Sequence, residues 1–134
     1  MIKKIVVSCV IIGLLLLMLV PSYLSVRFGE NENLIKSRLR TFYEANELYR
    51  KTHRPPEYPK SLEALSETMP PLVEKEFLKS PQAGYRFIYD RMEGSKFTVT
   101  AKPIFKFLTG YRTFFVDETG IIRLNNAMGD PIDA

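Results

Sequence analysis

From Ile5 to Val20 no charged residue interrupts the chain, and apolar character continues more weakly from Pro21 to Val26. At 1.5 Å per residue, about 20 such residues cross a hydrocarbon core, so the stretch predicts a spanning helix. After an interruption expected at Gly29–Asn33, the sequence NLIKSRLRTFYEANELYRKTH sets Ile35, Leu39, Phe42 and Tyr49 at steps of four, three and seven. That spacing is one helical stripe, broadened by Leu34, Tyr43 and Leu48, with Lys36, Arg38, Arg40, Glu44 and Glu47 mostly off it. RPPEYP ends this helix, because proline removes a donor and biases the residue before it away from helical angles. Arg54 to Ala83 is punctuated by prolines and reads as an ordered connection. It holds a short helix in SLEALSETM, capped by Ser61, and another around VEKEFL.

Beyond Gly84 the period becomes two. GYRFIYDR alternates Tyr85, Phe87 and Tyr89 with Arg86, Ile88 and Asp90; MEGS turns; KFTVTAKPI follows with Phe97, Val99 and Ala101 on one face. YRTFFVD and IIRLN flank ETG, a tight turn in which Gly120 supplies a positive φ. The pattern therefore predicts an α+β protein. A long N-terminal helix, half transmembrane and half amphipathic, packs on a C-terminal antiparallel sheet of about four strands.

Length and charge narrow the picture. The 134 residues, less the apolar segment, leave roughly a hundred for one domain with a modest core. The expected division is a transmembrane helix at 1–27 and a globular domain at 28–134, with disorder expected in the tail beyond about Asn125. A composition of 46% hydrophobic and 25% charged residues is that of a folded chain. Outside Lys3 and Lys4 there remain 17 basic and 15 acidic residues, a balance too mild for a nucleic-acid partner. The single cysteine, Cys9, lies in the apolar run, so the globular part holds no internal disulfide.

Three fates compete for the apolar segment. A cleaved secretory signal requires a small-x-small site, and LMLVPSYLSVRF offers no Ala-x-Ala pattern. A lipoprotein signal ending in VVSC would leave only Ile5, Val6 and Val7 ahead of Ser8, with the strongest apolar run on the wrong side of Cys9. A retained anchor fits best, with membrane lipid as its first partner. Lys3, Lys4 and the terminal amine favour a cytoplasmic N-terminus, against the opposing pull of Arg27 and KSRLR. Gly13 permits close helix packing alongside Ile5, Ile11, Ile12, Leu16, Leu17 and Val20, and Pro21 is tolerated as a kink.

Candidate chemistry is sparse. His53, the lone histidine, reads as a solvent-facing helix-end residue, favoured there by the helix dipole. No His/Cys cluster, phosphate loop or nucleophile elbow is present, and Asp117 and Glu118 read as turn residues. No catalytic residue, metal site or cofactor is expected, and a non-enzymatic role follows. A binding surface is the rival, because KPIFKFLTGYR mixes Phe105, Phe107 and Tyr111 with Arg112 in a loop-like stretch. Most other aromatics of this half, including Tyr85, Tyr89, Phe114 and Phe115, are expected to pack inward.

The order of these pieces resembles a type IV pilin or pseudopilin, most closely the small pilin-like proteins with a compact four-stranded sheet. The likeness is carried by VIIGLLLLMLVPSYLSVR, with Gly13 inside the membrane segment and Pro21 eight residues on. It continues through ENENLIKSRLRTFYEANELYRKTH, EYPKSLEAL, GYRFIY, FTVTAKPI and YRTFFVDETGIIRL. The resemblance implies a structural subunit or accessory component of a type IV pilus-like or type II secretion-like assembly. Its partners would be other pilin-like or secretion-system subunits. It would be a single-pass protein of the bacterial inner membrane, with the domain periplasmic. The alternative is a membrane-anchored periplasmic binding module using the Phe105–Arg112 surface. One departure stands out: registering on Gly13 and Pro21 puts Lys4 where the family carries a glutamate, and no prepilin cleavage glycine is present. The expectation is either an uncleaved pilin-like protein or a start lying downstream of a missing leader.

Overall fold

The structure, a computed structural model, describes residues 1–79, 82–106, 109–110 and 112–132, without the side chains of Ser22, Leu24, Ser25, Val26 and Phe28. Helix α1 runs unbroken over Ile2–Thr52, 51 residues, with Pro21 inside it. Two short 3₁₀ helices, Glu63–Leu65 and Lys75–Leu78, occupy the proline-punctuated connection. Four strands follow: β1 Tyr85–Met92, β2 Lys96–Pro103, β3 Phe114–Asp117 and β4 Arg123–Leu124. They form an antiparallel meander in the order β1-β2-β3-β4, with Tyr89 opposite Val99, Ala101 opposite Phe114 and Phe114 opposite Leu124. The α+β class and the four-stranded sheet agree with the sequence pattern.

The predicted stripe is the face the sheet covers. Ile35, Leu39 and Phe42 are inaccessible to solvent, as are Phe97, Val99, Ala101, Phe114 and Val116 opposite them. Phe42 meets Phe87 edge to face at 5.2 Å. Each such side chain other than Ala101 contributes about 1.5–3 kcal/mol by leaving water. Tyr49 is half-buried at the margin of the core, and Leu34 and Leu48 remain exposed. α1 ends with Arg50 and Lys51 in its last turn, where cations complement the dipole, and with His53 extended at the cap.

Three expectations need correcting. The helix passes through Gly29–Asn33 without interruption, so the division drawn between residues 27 and 28 falls inside one element. Glycine and asparagine are poor helix formers, costing up to about 1 kcal/mol each. Here Asn31 donates to the Thr109 carbonyl at 3.4 Å and Glu32 pairs with Arg112, and these contacts outweigh the local preference. Second, Ser61 caps nothing: the N-cap of the first 3₁₀ turn is Leu62, with no side-chain bond. The prolines leave too short a segment for an α-helix, and Ser66 and Thr68 donate to the Glu63 and Leu65 carbonyls instead. Third, the tail beyond Asn125 is ordered as far as Ile132, because Leu124 N–H donates to Asp130 O and Ile132 N–H to Ile122 O. Phe115 is buried as expected, but on the face of β3 opposite to Phe114 and Val116, so β3 is covered on both faces.

β2 runs antiparallel to the second half of α1. At its start, Phe97 packs on Tyr58 with ring centroids 4.6 Å apart, and the Tyr58 hydroxyl donates to Glu47 Oε1 at 2.5 Å. At its other end, Pro103 leads into the loop that meets Asn31 and Glu32. The lengths agree, since six strand steps from Phe97 to Pro103 cover about 20 Å and fifteen helical steps from Glu47 to Glu32 about 22 Å. The described residues of 104–112 and the 125–130 loop therefore lie at the end of the sheet that faces the apolar half of α1, and the turns at 93–95 and 117–120 lie at the far end.

Candidate functional site

Among the described residues, the apolar half of α1 lies bare along its length. Ile2–Pro21 has a mean hydropathy of 2.6, is long enough to cross a membrane, and none of it is buried. Ile5, Ile11, Ile12, Leu16, Leu17 and Val20 are each more than half exposed. Gly13 has open space where a side chain would project, and Cys9 is an exposed free thiol. A largely apolar stretch of this length left in water would be costly, so the segment requires an apolar environment such as a bilayer or other helices. Lys3 and Lys4 are exposed at its start.

Just past its end the polar ordering begins. Tyr23 accepts a hydrogen bond from Arg27 Nε at 3.0 Å, the Arg27 guanidinium lies 5.4 Å from the Tyr23 ring centre, and Glu30 is 3.9 Å from the same group. The bond to Tyr23, with Glu30 beside it, raises the Arg27 pKa further. One turn on, Glu32 is nearly buried and is held by Arg112, with Nη2 to Oε2 at 2.5 Å and Nε to Oε2 at 3.1 Å. That fork of charge-assisted bonds raises the Arg112 pKa and ties the loop after β2 to the helix.

Of the proposed aromatic and basic surface, Phe105 is exposed, whereas Arg112 is spent on Glu32; Phe107 and Tyr111 lie outside the described residues. Tyr85, Phe114 and Phe115 are buried and Tyr89 is half-buried. Burial pushes the Tyr85 hydroxyl up to about 12, aided by the Glu32 charge, and Gly110 lies against its ring where any Cβ would overlap it. Burial also raises Tyr89, whose hydroxyl donates to Pro59 O at 2.6 Å.

His53 is half-buried at the helix end, stacked on Tyr49 at 3.7 Å with Nδ1 2.8 Å from the Tyr49 carbonyl. It lines a cleft of about 480 Å³ with Leu48, Thr52, Met69, Pro70 and Leu72, and among the described residues no second titratable side chain joins it there. Asp117 acts in its turn, with Oδ1 accepting from Thr119 N–H at 3.0 Å. Among the described residues no three His, Cys, Asp or Glu side chains converge on a metal-sized site. Sequence reasoning missed Asn31, Glu32 and Asn46. Asn46 is fully buried, with both amide atoms lacking a hydrogen-bond partner among the described residues. A polar residue on the apolar stripe was the available signal for Asn46; nothing local pointed to Glu32. Compared with protein-family models, curated proteins and solved structures, the chain matches none.

Proposed function

We propose that this chain is a pilin-like structural subunit or accessory component of a type IV pilus-like or type II secretion-like assembly. The observation that carries the proposal is one uninterrupted helix, bare and apolar over its first 20 residues and laid against a four-stranded antiparallel meander over its second half. In this reading Ile2–Pro21 anchors the chain once across the inner membrane, with Lys3 and Lys4 cytoplasmic and the sheet domain periplasmic. The exposed faces around Gly13 then pack against the spans of neighbouring subunits.

Lys4 bears on the kind of subunit. An ammonium buried among like helices costs several kcal/mol unless a carboxylate or water reaches it, and a homopolymer supplies only more lysines in that register. The role is therefore that of a minor or accessory subunit, or of a membrane-bound monomer or small oligomer. Expression alone, followed by electron microscopy of sheared filaments and oxidation of Cys9 in native membranes, tests this. Cross-linked small oligomers without filaments are expected; abundant filaments built only of this chain, still starting at Met1, refute the accessory role. A soluble periplasmic domain with a new N-terminus near Ser25 refutes the anchor and with it the assembly reading.

A further inference from the structure

The continuous helix fixes where the sheet domain stands relative to any membrane that α1 crosses. About 20 residues counted from Ile5, just after the lysine pair, place the outer hydrocarbon boundary near Tyr23 and Leu24. Tyr23, exposed and bonded to Arg27, is the kind of amphipathic ring that settles at that level. Asn31 lies about 10 Å further along the helix axis, and the headgroup layer of one leaflet is about 5–7 Å deep. The loop that Asn31 and Glu32 hold therefore sits over the headgroups, and an ordinary helix tilt of about 20° brings one side of it down onto them.

The described residues at this end suit such a surface. Phe105 is 62% exposed and Met128, at the tip of the neighbouring loop, is 92% exposed, so two large apolar side chains project from the same end of the sheet. In charge, Glu30 and Glu32 offset Arg27 and Arg112. Arg86 and Lys102, paired across β1 and β2 and both exposed, then stand against Asp130. Like charges opposed across a strand pair cost stability in water and are relieved beside an anionic surface.

We propose that this end of the domain, presented by Phe105, Lys102, Arg86 and Met128, docks on the anionic phospholipid headgroups of the leaflet from which α1 emerges. The proposal rests on Ile2–Pro21 spanning the membrane. Phe105 and Met128 enter the interfacial layer while the basic side chains meet the phosphates, so the domain lies down on the bilayer whenever no other subunit covers it.

The chain contains no tryptophan, so single substitutions serve as depth probes in the full-length protein. Leu17→Trp, Phe105→Trp and Met92→Trp report the span, the docking end and the far end of the sheet. Each is reconstituted in vesicles of phosphatidylcholine and phosphatidylglycerol in equal parts, with bromine in the acyl chains or a nitroxide on the headgroup. The expected result is that bromine quenches Leu17→Trp, the headgroup nitroxide removes most of the emission of Phe105→Trp, and Met92→Trp keeps its emission. Quenching of Phe105→Trp is expected to weaken in phosphatidylcholine alone, at high salt, and when Lys102→Glu is added. Quenching at Leu17 with Phe105→Trp no more quenched than Met92→Trp overturns the docking while leaving the span intact. No quenching at Leu17 overturns the span and the docking together. Phe105→Trp emission that shifts with protein density and ignores the headgroup quencher assigns the surface to another protein and overturns the lipid partner. Equal quenching in both lipids overturns the anionic selectivity.

Discussion

Removing Arg112 separates the contribution of the loop clamp from that of the helix itself. Glu32 is 10% exposed and Arg112 44% exposed as side chains, so the pair is neither fully dry nor a surface bridge. Breaking a buried pair by deleting one partner costs about 3–5 kcal/mol, and a surface pair is worth about 0–1. With the carboxylate side dry and the guanidinium side wet, Arg112→Ala should cost about 1–3 kcal/mol, chiefly by stranding the Glu32 charge. Glu32→Gln leaves no buried charge behind and should cost less. In a double-mutant cycle the coupling should fall between about 0.5 and 3 kcal/mol. The assay is denaturant unfolding of the full-length protein in detergent, followed by circular dichroism, with hydrogen exchange read at residues 28–33. The amides of Gly29, Asn31 and Asn33 should exchange faster in Arg112→Ala, because these residues are helical against their own preference. Single effects within about 0.3 kcal/mol that simply add, with exchange at 28–33 unchanged, would show that the helix continues for some other reason.

Phe42→Ala should cost about 3–5 kcal/mol, because the ring is wholly buried against Phe87, whereas the exposed Arg40→Ala should stay within about 0.5; equal small effects would misplace the core. Gly120→Ala should cost about 1–3 kcal/mol, since φ is +76° and the added carbon would lie 2.6 Å from Tyr43 Cζ; an unchanged melting temperature counts against this turn. The Tyr85 hydroxyl is held protonated by burial up to about 12, while an unfolded tyrosine titrates near about 10. Its stabilising share is complete below about pH 10 and is lost as the pH climbs towards about 12, so Tyr85→Phe should flatten the alkaline fall in stability; parallel curves would refute it. Asn46→Leu should be neutral or stabilise by about 1 kcal/mol, because it removes two unpaired buried polar atoms; a loss above about 2 would mean that the amide has a partner in solution.

The core was legible because both periods address one surface. Ile35, Leu39 and Phe42 recur at the helical step, Phe97, Val99 and Ala101 at the strand step, and each set has a single dry face to seek. The apolar helix was legible from composition alone. The passage through Gly29–Asn33 was not, because what holds it is a carboxylate and a guanidinium 80 residues apart, and a local reading sees only the poor helix formers. The missing cap at Ser61 depends likewise on what tertiary packing brings alongside. For the loop beyond β2, the sequence showed aromatic and basic residues but not their height along α1, which is set by the register of the sheet on the helix.

A helix without a break between Pro21 and Asn31 is a shaft as well as a tether. Each residue added to it would turn the domain by about 100° and lift it about 1.5 Å. One extra residue there would swing the Phe105 loop round to another side of the shaft. Seven would bring it back to within about 20° of its original azimuth, but about 10 Å higher. Any partner that grips the apolar half at a fixed face therefore dictates the compass direction of the sheet domain, and torque applied at one end is delivered at the other.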